Sequence, residues 1–499
     1  MTDPVTADDV RSREWGNFID GSFRASESNQ MYDVENPANG TSIASVPDST
    51  AEDVDLAVES AREAAVRWRR LDAHEWGNYL LEVADAIRDI REELVTIETL
   101  ENGKPFRESR NDVRATEKIF RYFGGAADKF HGETLPETNG LFNYTLREPY
   151  GVVGSIIPWN WPPMHTADFT APQLATGNTV VMKPSPETPL STLRIAEVLQ
   201  DVLPDGVVNV VTGGTEPGAA LAEHHGIDKI AFTGHTDTGT IVMESAAKTI
   251  TPVTLELGGK NPNIVLPDAD IERAVNGTYD GIFYNQGQAC SSGSRLLLHE
   301  SIASAFLDAF LPLAEELIIG PGTDEETDLA PLASQKQYDK VTDYIRIGKE
   351  EGATVLYEGV IPDDLEDGYY VPPVIFGDVQ PDMRIANEEI FGPVLSVLTF
   401  ETIEEAIEIA NDTKYGLTAA IWTENLDVAN RMARRIEAGY VYLNNFERGA
   451  VGVPFGGYKQ SGIGRKRGFQ ETLHTYTRTK AIKASMASPA EGELDSYFE

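Results

Sequence analysis

The chain has a single cysteine in 499 residues, which excludes an internal disulfide framework. It is also poor in basic residues: 41 Lys and Arg stand against 80 Asp and Glu, a formal net charge of −39 at pH 7. A surface of that sign repels nucleic acid and anionic membranes, so neither is expected as a partner. No apolar run reaches membrane-spanning length, and the opening MTDPVTADDVRSREW lacks the basic and apolar blocks of a secretory signal. These absences make a cytoplasmic protein the expectation. The acidic residues are spread along the chain, as in EDVDLAVESAREAA and PGTDEETDLA, and are not gathered in an interaction tail. Self-repulsion of this size destabilises a compact state unless salt screens it, which suggests adaptation to a salt-rich cytoplasm, as in a halophile.

What is present is a folded α/β chain. A hydrophobic share of 41% with 9% aromatics is globular, and the length predicts two or three domains. Residues 51–100 carry apolar residues at helical spacing and read as two amphipathic helices. From 150 onward short apolar strands (152–157, 179–183, 207–211, 229–233 and 263–266) alternate with helical stretches, notably 190–202 and 237–248. That alternation predicts a parallel, doubly wound sheet. Residues 128–149, with an Asn139-Gly140 turn signal before an alternating FNYTLREP, read as a hairpin. Residues 472–485 read as another exposed strand, suited either to oligomer pairing or to an ordinary covered edge.

Four places carry candidate chemistry. Cys290 sits in NQGQACSSGSR, after an expected helix at 271–284. Small polar neighbours allow a substrate to approach a thiolate, the strongest nucleophile among ordinary side chains; a buried core cysteine is the plain alternative. Glu256, in TPVTLELGGKNPNIVL, falls inside an apolar strand, where a carboxylate is costly unless paired or functional. Desolvation there raises its pKa towards a general base, while an edge strand turned to solvent is the alternative. Asn160, in IIPWNWPPM, offers an amide to an oxyanion or caps a turn. Residues 232–239, FTGHTDTG, join a strand to a helix and form a possible anion site, without the dinucleotide fingerprint.

Taken in order, IIPWNWP, VMKPSPETP, IAFTGHTDTG, LELGGKNP, NQGQACSSGSR, NEEIFGPV and PFGGYKQSGIGR resemble the aldehyde dehydrogenase superfamily, over about residues 15–485. The resemblance implies a Rossmann-like cofactor domain (1–127 and 150–257), an α/β catalytic domain (258–470) and a small β oligomerisation arm with the C-terminal tail (128–149 and 471–499). It implies a homodimer or homotetramer. It further implies oxidation of a small-molecule aldehyde to a carboxylic acid with NAD or NADP: Cys290 attacks, Asn160 and the Cys290 N–H hold the oxyanion, and Glu256 activates the water that hydrolyses a thioester. Cofactor contacts fall on Trp159, Lys183, Gly234, His235, Gly258, Glu389 and Phe391, and no metal is implied.

Three departures from the family pattern bear on specificity. Many NAD-preferring relatives have a glutamate three residues after the position of Lys183, where this chain has Pro186 and then Glu187. Loss of that carboxylate removes a repulsion against a 2′-phosphate, so NADP and NAD both stay open. His235 replaces a common serine, and either contacts a pyrophosphate or reshapes the loop. In the substrate channel, Trp161 and Phe455 are aromatic, but His165, Asp168 and Arg448 are polar, which fits a polar aldehyde or an Asp–Arg brace between loops. Acyl transfer to coenzyme A or phosphate is disfavoured because the base, Glu256, is present. A cofactor-free cysteine hydrolase would need a histidine beside Cys290, and no nearby motif supplies one.

Overall fold

The computed structural model describes residues 6–138, 141–447 and 451–485; Arg448 and the Asn139-Gly140 turn lie outside them. The first of two large sheets has the strand order Gly462–Ile463, Val253–Glu256, Lys229–Thr233, Val152–Ile156, Thr179–Lys183, Val208–Val210, Asn17–Ile19, Ser22–Arg24. Its five central strands, from Val253–Glu256 to Val208–Val210, run parallel, and antiparallel pairing is confined to the edges. Alternate side chains serve opposite cores. Val153, Val180 and Met182 pack with helix Leu190–Gln200, whereas Val152 and Val181 pack with helices Ala51–Trp68 and Thr236–Ala247. Burial on both faces is why these strands read as unbroken apolar runs.

The topology locates a binding crevice. From Val152–Ile156 the chain steps outward to Thr179–Lys183 and Val208–Val210, then returns to place Lys229–Thr233 and Val253–Glu256 on the other side of its starting strand. The order therefore reverses between Val152–Ile156 and Lys229–Thr233, and the loops beyond their carboxyl ends diverge there, the favoured ligand position in open α/β sheets.

The second sheet has the order Thr354–Glu358, Val374–Gly377, Val394–Phe400, Arg295–His299, Pro262–Val265, Thr418–Trp422, Tyr440–Leu443, with only the first strand antiparallel. A third, antiparallel sheet joins Thr134–Thr138, Leu141–Pro149 and Thr477–Ser485. It leaves Leu135, Phe142 and Leu146 each 40% exposed.

Most expected elements shift by only one or two residues at their ends, but three differences from the sequence reading are larger. Residues 51–100 form three helices, because a break at Ile90 separates Ala73–Asp89 from Arg91–Asn102 without interrupting the apolar spacing. Phe106–Ala126, a long helix the periodicity reading passed over, packs against Ala73–Asp89. Residues 472–485 are not one strand: Gln470–Thr475 is helical, and the strand begins at Thr477. Leu473 and Tyr476 are buried in the core at that junction, which holds the helical turn in place. No helix among the described residues is long and apolar enough to cross a membrane.

Candidate functional site

At the carboxyl ends of the reversing strands lies a cavity of about 460 Å3. Trp159, Gly234, His235, Gly258, Glu389 and Phe391 line it, together with Asn160 and Cys290. Glu389 is fixed by the Gly259 N–H, which donates to its Oε1 at 2.8 Å. A Cβ on Gly258 would stand 2.5 Å from Glu389 Oε2, so only glycine admits this carboxylate. Burial raises the Glu389 pKa, and the nearby Lys340 ammonium partly offsets it. Phe391 adopts a left-handed backbone (φ 64°), held by Gln337 Nε2 donating to its carbonyl at 2.6 Å. Its ring meets Trp159 edge-on, centroids 5.3 Å apart at 85°. His235 caps helix Thr236–Ala247: its Nδ1 accepts from the Asp237 N–H at 3.3 Å.

Lys183 ends its strand behind this wall, 6% exposed, and burial pulls its pKa down to about 8 against the opposing pull of Glu187 and Asp48. Glu187 itself lines the cavity and accepts a hydrogen bond from Ser185. The carboxylate missing at position 186 is thus supplied from the next residue. Lys336 and Lys340 also face the cavity, and Thr233 Oγ1 is buried there without a hydrogen bond among the described residues. Carboxylates for ribose hydroxyls, lysines and a helix start for phosphates, and facing aromatics for a flat ring are the donor set of a dinucleotide site.

A second cavity, about 480 Å3, is lined by Trp161, His165, Tyr442, Phe455, Lys466 and Cys290, among others. Among the described residues, Cys290 is the one common to both linings. Its loop is built under constraint. Asn285 and Gln286 take left-handed backbones (φ 52° and 56°), and a Cβ on Gly287 (φ 70°) would lie 2.1 Å from the Gly392 carbonyl. Asn261 Nδ2 donates to the carbonyls of Cys290 and Ser292, each at 2.8 Å. Burial raises the thiol pKa to about 11, against the opposing pull of the Lys466 ammonium.

Asn160 is tied to this loop, its Nδ2 donating to the Gln288 carbonyl at 3.0 Å. Its own carbonyl accepts from Asn285 Nδ2 and from Lys104 Nζ, both at 2.9 Å. Glu256 occupies the last position of its strand, not the interior, paired in register with Thr233 and Gly462. It is 4% exposed, and neither carboxylate oxygen has a hydrogen-bond partner among the described residues. Burial raises its pKa to about 8, with Lys466 and Arg465 pulling the other way. A desolvated carboxylate near neutrality is suited to accepting a proton from water.

The expected channel residues fall into two groups. Trp161, His165 and Phe455 line the second cavity, whereas Asp168 lies buried behind it. Asp168 pairs with Arg467, while the Arg448 considered from sequence lies outside the described residues. Burial alone would raise Asp168, but the Arg467 guanidinium holds it well below the usual carboxylate range. His165 Nε2 sits 3.3 Å from Asn160 Oδ1, and burial depresses its pKa to about 3. It shares a cavity with Cys290, but among the described residues its Nε2 faces Asn160 Oδ1 and its Nδ1 lies 3.6 Å from Asp168 Oδ2, and neither nitrogen is bonded to the Cys290 thiol.

Sequence reading missed two buried clusters. Lys466 and Arg467 lie within the GRKRG segment, where two adjacent cations gave no sign of burial. Lys104 is fully buried, with Asp112 Oδ2 at 2.6 Å and Glu98 Oε1 at 2.9 Å. A lysine after the glycine of ENGKP was the available signal, but only the fold brings it beneath Asn160.

Comparison with known proteins agrees with this geometry. The profile of the aldehyde dehydrogenase family matches residues 23–482. The chain is 44% identical over 472 residues to the mitochondrial aldehyde dehydrogenase of Sus scrofa, covering 93% of this chain and 90% of that one. The crystal structure of PnpE from Pseudomonas sp. WBC-3 superposes with a TM-score of 0.93 at 45% identity, covering 97% of this chain and all of the other. The NAD+ complex of a Bacillus cereus aldehyde dehydrogenase gives 0.93 at 43% identity, covering 96% and 98%. With the profile spanning nearly the whole chain and relatives matched end to end, this protein belongs to the aldehyde dehydrogenase family.

Proposed function

We propose that this enzyme oxidises an aldehyde to a carboxylic acid with NAD+. The supporting observation is that Cys290 lies on both cavity walls, where a nucleophile must stand to meet a carbonyl from one side and a hydride acceptor from the other. An oxidised nicotinamide held in the first cavity would supply that acceptor. Glu389 and Glu187 would hold ribose hydroxyls, the start of helix Thr236–Ala247 would receive the pyrophosphate, and Phe391 and Trp159 would orient the ring.

The Cys290 thiol releases its proton to solvent water and its sulfur bonds to the aldehyde carbon, the carbonyl π electrons moving to oxygen to give a thiohemiacetal alkoxide. The second N–H of Asn160 Nδ2 and the Cys290 backbone N–H hold the oxyanion. Loss of hydride leaves a thioester on Cys290. Glu256 then takes a proton from water, the hydroxide adds to the thioester carbonyl, and the sulfur leaves with release of the acid. Glu187, close enough to Lys183 to influence its ionisation, disfavours a 2′-phosphate, so NAD+ is the preferred form.

Assembly and setting follow the same reasoning. We assign 1–127 with 150–257 to cofactor binding, 258–470 to catalysis, and 128–149 with 471–499 to an arm whose exposed Leu135, Phe142 and Leu146 suit pairing with another copy in a homo-oligomer. The charge of −39 fits a salt-rich cytoplasm.

The test is reduced-cofactor absorbance with an aldehyde panel in molar KCl, using NAD+ and NADP+ in parallel and Cys290→Ala as control. Turnover lost in Cys290→Ala, with nucleotide binding retained, is the expected result. A wild-type protein that binds neither nucleotide overturns the reading.

A further inference from the structure

The catalytic cavity differs in charge from the rest of the molecule. Acids outnumber bases 80 to 41 over the chain. Yet the described lining of this cavity holds four bases, Arg114, Lys118, Lys466 and Arg467, and three acids, Asp112, Asp280 and Glu447. Asp112 is already bonded to Lys104 at 2.6 Å. Arg467 is neutralised by Asp168, which accepts from its Nη2 at 2.8 Å and from its Nε at 3.1 Å.

Lys466 is left over. Its side chain is 8% exposed, and its ion pair is a long one, 3.8 Å to the same Asp168 Oδ2 that Arg467 holds. Its ammonium stands 5.5 Å from the centroid of the Phe455 ring, on the wall of the cavity. Among the described residues it makes no hydrogen bond, and Glu256 forms no ion pair with it. An ammonium on the cavity wall with one long, shared partner leaves room for a ligand's anionic group to complete its surroundings. Nearer solvent, Arg114 and Lys118 are exposed four residues apart on one face of helix Phe106–Ala126. Against an acidic surface, such a cluster draws anions to the entrance.

We infer that the aldehyde oxidised here carries a carboxylate, which Lys466 receives inside the cavity while Cys290 meets the carbonyl carbon. This rests on the oxidation proposed above. The product of such an oxo acid is a dicarboxylate, and a cationic amino aldehyde is excluded by the same charge.

The experiment compares kcat/KM for a series of ω-oxo carboxylic acids with the unsubstituted aldehydes of matching length, in one salt concentration. The wild type is expected to favour the oxo acids by roughly tenfold or more, mainly through KM. Lys466→Met is expected to erase that ratio whatever its absolute rates, and Lys466→Arg to keep most of it. Equal use of the neutral aldehydes by the wild type, or a preference surviving in Lys466→Met, overturns the inference. If Lys466→Met does not fold, the wild-type ratio decides, alongside competition by glutarate against its diamide. Failure to oxidise either series with NAD+ or NADP+ removes the parent reading and this one together; oxidation without preference for the acids removes only this one.

Discussion

Asp168 grips Arg467 from both carboxylate oxygens: Nε lies 3.1 Å from each, and Nη2 2.8 Å from Oδ2. The Lys466 ammonium lies 3.8 Å from the same Oδ2, so two cations share one buried carboxylate and one positive charge is left over. The pair itself adds little net stability, because burying both charges offsets most of their attraction. Removing one partner is different, since it leaves the other charge uncompensated. Asp168→Asn is expected to destabilise the protein by about 3–5 kcal/mol. Urea denaturation in constant salt measures it, and a loss below about 1 kcal/mol would show that the cations find other partners.

Glu256 gives a pH-dependent signature that needs no substrate. Its folded pKa is raised to about 8 by burial, so the folded protein keeps a proton that the unfolded chain releases above about 4.3. The stability tied to this proton is fully present below the unfolded value and is lost as pH rises through the folded one. Glu256→Gln keeps the shape and cannot ionise. The variant is expected to unfold together with the wild type near about pH 4 and to be more stable at about pH 9, by on the order of a few kcal/mol. Equal stability at both pH values would mean that the carboxylate is solvated. In the assay, the same variant should show a burst of reduced cofactor followed by slow turnover, because the thioester forms and lacks its base.

Much of this was legible in sequence because backbone-determined features repeat locally. The strands at Thr179–Lys183 and Lys229–Thr233 are continuous apolar runs between turn residues, and their ends coincide with the expected ones. Cys290, Glu256 and Asn160 stood out because each is chemically unusual for its neighbours. The Ile90 break was not legible, since the helices on either side share one apolar stripe. Lys104, Lys466 and Arg467 were missed for a different reason: sequence shows charge but not burial. The partners that make burial tolerable, Asp112, Glu98 and Asp168, come from other elements.

Position 187 presents a carboxylate where position 186 has a proline. The Glu187 carboxylate lines the nucleotide cavity and acts on Lys183 electrostatically, raising a pKa that burial lowers. A 2′-phosphate placed beside it would meet like charge, a juxtaposition that costs up to several kcal/mol. The wild type is expected to bind NAD+ at least about tenfold more tightly than NADP+, and Glu187→Gln to narrow that gap chiefly by improving NADP+. Titration of both nucleotides into both proteins checks this. An unchanged ratio in the variant would place the discrimination elsewhere.

Salt should act on this protein in a direction opposite to its effect on individual ion pairs. Raising ionic strength weakens surface pairs such as Arg62–Asp228 and Lys248–Glu223, and such pairs contribute little individually. The same screening relieves repulsion among 80 acids facing only 41 bases. Because the Debye length falls from about 8 Å at physiological strength to about 3 Å at 1 M, that relief continues well beyond physiological salt. The excess of one sign makes the repulsive sum the larger quantity, so the unfolding temperature is expected to rise from dilute buffer to molar KCl. Repeating the series with a neutral osmolyte at equal osmolarity separates screening from solute exclusion. A rise with KCl but not with the osmolyte supports the salt-adapted reading, whereas a flat KCl series would mean that the acidic residues are spaced widely enough for their repulsion not to limit stability.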